Sequence, residues 1–109
     1  MFEQIVSGEF REGKEFAPGS FFKDLADHIH CTDGTTLSVQ AGRFHYCRPR
    51  DDYGPYEAVA VSFPSVEPPE SWAQYFDGDW ETDDRTGSVY GWVPVELVRE
   101  FIQAHGGEK

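Results

Sequence analysis

Five histidine and cysteine side chains carry the most reactive chemistry in this sequence, because imidazole and thiolate groups bind transition metals and act as bases or nucleophiles. They are His28, His30, Cys31, His45 and Cys47. In an extended strand, residues 45 and 47 point to the same side and could share one zinc ion, with Cys31 and one of the first two histidines completing the ligand set. Ordinary structural zinc sites use close cysteine pairs such as C-x₂-C, which are absent here. The sequence therefore favours buried cysteines and surface histidines, without a bound metal or other cofactor.

Cys47 is also a candidate nucleophile. His45 or His30 could serve as its base, and the nearby Arg48 and Arg50 could lower its pKa. No glycine motif typical of an oxyanion hole accompanies it. The motifs G-x-S-x-G and H-E-x-x-H and a Gly-rich phosphate loop are also absent from the sequence. We therefore expect Cys47 to pack as a small apolar residue and the protein not to be an enzyme.

An acidic run, DGDWETDD between Asp77 and Asp84, is the second distinctive stretch. It lacks the twelve-residue order of a calcium-binding loop. The whole chain has a formal net charge of -11, and residues 67–109 alone hold ten acidic and three basic residues. Such a surface repels nucleic acids and attracts basic surfaces. The predicted partner-binding residues, seven carboxylates and one aromatic anchor, are Glu67, Glu70, Asp77, Asp79, Trp80, Glu81, Asp83 and Asp84.

The element that must position this run is a strand followed by a helix between Ser88 and Gly107. The β-like run ends at Pro94, whose fixed φ suits the start of a helix. The helix is expected to end at Gly106 and Gly107. Its predicted buried face, set by spacings of three and four residues, consists of Val95, Val98, Phe101 and Ile102.

The remaining segments complete a single α+β domain over residues 1–109. Alternating apolar residues predict strands at about 36–47, 56–63 and 88–93. Short connections favour antiparallel pairing, in a sheet of three to four strands with the C-terminal helix and one or two short helices packed on it. One short helix is predicted from Ser20 to about His30 and another from Pro69 through Phe76, while Phe2 to Val6 has weak strand character.

Composition restricts the class of protein. A chain of 109 residues with 39% hydrophobic and 16% aromatic residues can bury a core, which argues against disorder. No apolar run approaches the length of a membrane span, and the first residues lack the order of a signal peptide. We expect a cytoplasmic protein that binds neither membranes nor nucleic acid directly.

Several short motifs resemble those of small acidic phage and prophage accessory proteins, a largely uncharacterised family. The resemblance covers about residues 31–107, leaving residues 1–30 as a separate N-terminal segment. The motifs that carry it are LSVQA at Leu37–Ala41, HYCRPR at His45–Arg50, DYGPY at Asp52–Tyr56, VYGWVPVELV at Val89–Val98 and HGG at His105–Gly107.

The resemblance implies a context rather than a catalytic mechanism. Small acidic phage proteins of this kind are often inhibitors of host machinery, including anti-CRISPR proteins that mimic DNA. We therefore expect a non-enzymatic inhibitor, monomeric or homodimeric, that binds a host protein or ribonucleoprotein complex with a basic nucleic-acid-binding surface in the host cytoplasm. The alternatives are a zinc-stabilised binding module and a phage structural or assembly protein without a host target.

Overall fold

The centre of the molecule is a four-stranded antiparallel sheet. A computed structural model describes residues 1–7, 28–42, 45–49 and 54–109. The strands are β1 (Ile29–His30), β2 (Thr36–Gln40), β3 (Ala58–Ser62) and β4 (Val89–Pro94). They pair in the order β1-β2-β3-β4, each antiparallel to the next. Together with the helices packed on this sheet, the arrangement confirms the predicted α+β fold.

Within the described residues, two α-helices and one 3₁₀ helix accompany the sheet. They are α1 (Phe2–Ser7), the 3₁₀ helix (Glu70–Tyr75) and α2 (Val95–Ala104). The predicted buried face of α2 is confirmed, and the helix is followed by two glycines with positive φ, Gly106 and Gly107. No helix in the described ranges is both long and apolar enough to cross a membrane.

The core lies between the sheet and α2. Leu37, Val39, Val59, Val61 and Val93 have no exposed area. An aromatic cluster extends this core: Trp72 of the 3₁₀ helix lies edge-on to Tyr90 of β4, with ring centroids 5.4 Å apart, and 5.3 Å from Phe101 of α2. Burial of this apolar surface is the main stabilising contribution to the domain.

Both outer strands of the sheet have hydrogen-bonded neighbours. Beside β1, the Lys109 backbone N–H donates to the carbonyl of His30 at 2.7 Å. Beside β4, Phe76 forms a bridge with Tyr90, and the N–H of Asp77 donates to the carbonyl of Val89 at 3.0 Å. Covering strand edges in this way prevents them from pairing with other chains.

The N-terminal predictions need correction where the structure describes these residues. The strand expected at Phe2 to Val6 is wrong, because this stretch forms α1 and buries Phe2 and Ile5, three residues apart, on one helical face. The helix predicted from Ser20 lies outside the described residues up to position 27. Its expected end is also wrong, since Ile29 and His30 pair with β2 as strand β1.

The predicted strand at 36–47 is shorter than expected. It ends at Gln40, and Gly42 adopts a φ of 145° that favours glycine. The chain returns to the sheet at Arg48, which forms an isolated bridge with Ala58. The short helix predicted from Pro69 is present as a 3₁₀ helix that ends before Phe76.

Candidate binding surface

Residues 77–87, the acidic loop, connect the 3₁₀ helix to β4. The loop begins where Asp77 is hydrogen bonded to Val89, so its first residue is fixed to the strand it later enters. Gly78 follows with a φ of 145°, and a Cβ at this position would lie 2.7 Å from Oδ2 of Asp83. A glycine is therefore required for the chain to turn back on itself here.

Three of the predicted partner-binding carboxylates also hold the backbone of the acidic loop. Oδ2 of Asp83 accepts a hydrogen bond from the N–H of Asp79 at 2.8 Å, and Oδ1 of Asp79 accepts one from the N–H of Glu81 at 3.0 Å. Oδ1 of Asp84 accepts from both the hydroxyl and the N–H of Thr86, which lowers the pKa of Asp84. These local bonds are typical of Asp in turns, and they present the carboxylates in a defined arrangement.

The other predicted carboxylates project from the surface. Asp77 and Glu81 are exposed, and among the described residues neither side chain accepts a hydrogen bond. Glu70 is exposed in the first turn of the 3₁₀ helix. Glu67 lies 3.8 Å from the guanidinium of Arg85, a distance and exposure typical of a weak surface ion pair.

Trp80, the predicted aromatic anchor, packs against its own molecule. It is partly buried, with ring centroids 5.5 Å from Phe76 and 6.4 Å from Tyr90. Arg85 stacks over its indole at 4.2 Å and donates from Nε to the Trp80 carbonyl at 2.7 Å. Trp80 therefore attaches the acidic loop to the core, and much of its indole is already in contact with other side chains.

Two aromatic residues that sequence reasoning did not select lie on the surface beside this loop. Tyr46 is 45% and Trp92 is 44% exposed, and their rings stack with centroids 4.8 Å apart. They line one side of an open groove of about 360 Å³, whose other lining residues are Gln74, Tyr75, Phe76, Asp77 and Gly91. The available signal was Gly91, since a glycine inside a strand often marks a bulge.

A second feature missed from sequence is a pair between Asp33 and His105. Nδ1 of His105 lies 2.7 Å from Oδ2 of Asp33 and 3.2 Å from the hydroxyl of Thr35. Hydrogen bonds from the backbone and hydroxyl of Thr35, and then from His105, lower the pKa of Asp33 to about 2. The pair connects the turn between β1 and β2 to the end of α2.

The histidine and cysteine residues are not brought together as one ligand set. Cys31 and Cys47 are buried free cysteines, whereas His28 and His30 are exposed and His45 is half-buried. In the described part of the chain, no group of three or more His, Cys, Asp or Glu side chains is placed to hold a metal ion.

Local hydrogen bonds account for the position of Cys47. Its Sγ lies 3.2 Å from the carbonyl oxygens of Gly42 and Pro49, either of which can accept its single proton, and it accepts from the N–H of Gly42 at 3.3 Å. These contacts connect Cys47 to Gly42 and Pro49, which lie in the described parts of the connection between β2 and β3. Arg50, one of the two cations considered as neighbours of this thiol, lies outside the described residues.

Neither a protein-family model, nor a curated protein sequence, nor a solved structure matches this chain.

Proposed function

We propose that this protein is a non-enzymatic inhibitor that binds a host nucleic-acid-handling complex in the cytoplasm. Its acidic loop, with Glu67 and Glu70 beside it, would occupy the basic surface on which the complex binds nucleic acid. In its narrowest form, the proposal is a phage-encoded anti-CRISPR protein that acts as an acidic mimic of nucleic acid. A monomer or a homodimer would be compatible with this role.

The observation that carries the proposal is the internal hydrogen bonding of the acidic loop. Asp79 and Asp83 are fixed by backbone N–H groups while remaining exposed to solvent. A charged surface that is ordered before binding loses less conformational entropy when a partner binds. The net charge of -11 adds long-range attraction to a basic groove and repulsion from nucleic acid itself.

The test is affinity capture from a CRISPR-bearing bacterial lysate, with captured proteins identified by mass spectrometry. A neutral-loop variant combines Asp79→Asn, Glu81→Gln and Asp83→Asn. The Asn side chains keep an oxygen acceptor for the loop N–H groups, so the change removes charge with little change of shape. We expect the wild type to capture a nucleic-acid-binding complex, and the variant to capture it about tenfold less well.

A matched control removes the same number of charges elsewhere, through Glu57→Gln, Glu96→Gln and Glu100→Gln. These three residues are exposed and lie outside the acidic loop. Capture by this control should equal that of the wild type, and added oligonucleotide should displace the captured complex. If the neutral-loop variant and the control capture the complex equally well, the acidic loop is not the interface and the proposal is wrong.

A further inference from the structure

The groove beside Tyr46 and Trp92 depends on an irregularity in the sheet. Val59 pairs with Val93 and Val61 pairs with Tyr90, so the single residue Ala60 lies opposite two residues of β4. This is a β-bulge, and its second residue, Trp92, has a φ of 54°. A bulky residue with positive φ is strained, and such residues are frequently found at functional sites.

Contacts with Tyr46 hold Trp92 in this conformation. The N–H of Trp92 donates to the carbonyl of Tyr46 at 2.9 Å, in addition to the stacking of the two rings. Gly91 allows this close approach, because a Cβ there would lie only 3.2 Å from Cβ of Tyr46. The pair is therefore a fixed aromatic surface, although nearly half of each side chain remains exposed to solvent.

The charge around the groove selects one class of ligand. Asp77 is the one charged side chain among the described residues that line it, and the acidic loop begins at this residue. The groove also contains the amide of Gln74, whose oxygen can accept a hydrogen bond. Aromatic faces, a carboxylate and an amide oxygen together favour a planar cation over an anion or a neutral apolar group.

The molecule itself contains the same combination in another place. Arg85 lies over the indole of Trp80 at 4.2 Å while its guanidinium is 3.8 Å from the carboxylate of Glu67. Trp92 and Asp77 supply an indole and a carboxylate among the residues that line the groove. The groove therefore has the same types of side chain that hold Arg85 inside the molecule, without an arginine of its own among its described lining residues.

We propose that the groove binds the guanidinium group of an arginine in a partner protein, stacked on Trp92 and paired with Asp77. This deepens the proposed function and rests on it in one respect, namely that the partner carries a basic surface. The acidic loop would attract that surface, while the groove would recognise one arginine at its edge. Lysine should bind more weakly, because its ammonium is strongly hydrated and lacks the planar shape that stacks on an indole.

The test is an NMR titration of ¹⁵N-labelled protein with the blocked peptide Gly-Arg-Gly. The three tryptophans each contribute one indole N–H signal, so Trp72 and Trp80 serve as internal references. We expect a saturable shift of the Trp92 signal in the millimolar range, as befits a single side-chain contact. The matched peptide with citrulline, which has the same shape without the charge, should bind at least about fivefold more weakly.

Two variants locate the contact. Asp77→Asn should weaken peptide binding about fivefold while preserving the shape of the side chain. Trp92→Leu should abolish binding, and folding of both variants can be checked from the unchanged Trp72 signal. The groove proposal is overturned if Trp92 shows no saturable shift, if citrulline binds equally well, or if the peptide shifts the Trp80 signal instead.

The neutral-loop variant separates this proposal from the proposed function. It retains Asp77 and Trp92, so it should bind the arginine peptide within about twofold of the wild type. Loss of lysate capture by this variant tests the acidic loop, whereas loss of peptide binding by Asp77→Asn tests the groove. Larger than tenfold loss of peptide binding in the neutral-loop variant would place the arginine on the loop and overturn the groove proposal.

Discussion

Tyr90 and Trp92 are two residues apart on the same strand, yet they lie in opposite environments. Tyr90 has no exposed area and is packed among Trp72, Phe76 and Trp80, whereas Trp92 is 44% exposed. In a regular strand, residues two apart share a face of the sheet. The bulge opposite Ala60 breaks this alternation and turns Trp92 out of the core.

The difference separates aromatic residues that stabilise the fold from those that are available for binding. The buried cluster connects the 3₁₀ helix, β4 and α2 through contacts among several rings. In the exposed pair, by contrast, the ring of Tyr46 stacks on the ring of Trp92. We therefore expect substitutions in the cluster to act on stability, and substitutions in the pair to act on ligand binding.

The largest expected effect on stability is the loss caused by Trp72→Ala, which should exceed the loss caused by Trp92→Ala. Trp72 is only 1% exposed, so its removal leaves a cavity and should lower the free energy of unfolding by about 3–5 kcal/mol. Trp92→Ala loses one partly exposed stacking contact and should lower it by about 1 kcal/mol or less. Urea denaturation followed by far-UV circular dichroism measures both. Equal losses would contradict the division between the two groups of aromatic residues.

The sequence predicted well the elements that depend on local periodicity. The buried stripe of α2 needs only spacings of three and four residues, and Pro94 and Gly106 mark its ends. Alternating apolar residues likewise predict a strand at about 56–63, and β3 spans Ala58–Ser62 within this range. These features can be read from neighbouring residues because the geometry of a helix or strand fixes which side chains share a face.

The features that escaped sequence reasoning depend on pairing across the fold. The bulge at Trp92 follows from the register with β3, which strand composition does not specify. Asp33 and His105 are 72 positions apart and meet only because α2 ends beside the turn between β1 and β2. The eight predicted partner-binding residues lie in and beside one loop, as their positions in the sequence suggest. The contacts of Trp80 with Arg85 and Tyr90 could not be read from the sequence, because they depend on how the loop folds onto the core.

A smaller effect is expected at the polar end of Tyr90. Its hydroxyl donates to the Arg85 carbonyl at 2.7 Å, and burial raises the pKa of Tyr90 from 10.0 to about 12. Tyr90→Phe removes this hydrogen bond and should lower the free energy of unfolding by about 1 kcal/mol at neutral pH. The variant also tests whether the stability of the buried cluster depends on the hydrogen bond from Tyr90 to the acidic loop, which sharpens its comparison with the exposed pair of Tyr46 and Trp92 rings.

The higher stability of the wild type relative to Tyr90→Phe should decrease at alkaline pH. Because the folded-state pKa is the higher one, the neutral hydroxyl contributes fully below pH 10, and its contribution is lost as the pH rises through about 12. Urea midpoints of both proteins at neutral pH and at pH 11 measure this change. An advantage that stays constant between these conditions would show that Tyr90 does not titrate as a buried group.

The smallest effect on stability is expected at Asp33, which pairs with His105 at the edge of the buried cluster. The ring of His105 lies 4.6 Å from that of Phe101. The pKa of Asp33 beside it is lowered from 3.8 to about 2, so its ionised form stabilises the fold above pH 3.8, and this contribution is lost as the pH falls through about 2. Asp33→Asn should therefore lower the melting temperature slightly near neutral pH, and this difference should shrink as the pH falls towards 2. The exposure of Asp33 keeps the effect small, because solvent screens its charge. If the difference in melting temperature were instead as large at pH 2 as at neutral pH, the charge of the Asp33 carboxylate would not be what stabilises the contact between the β1–β2 turn and α2.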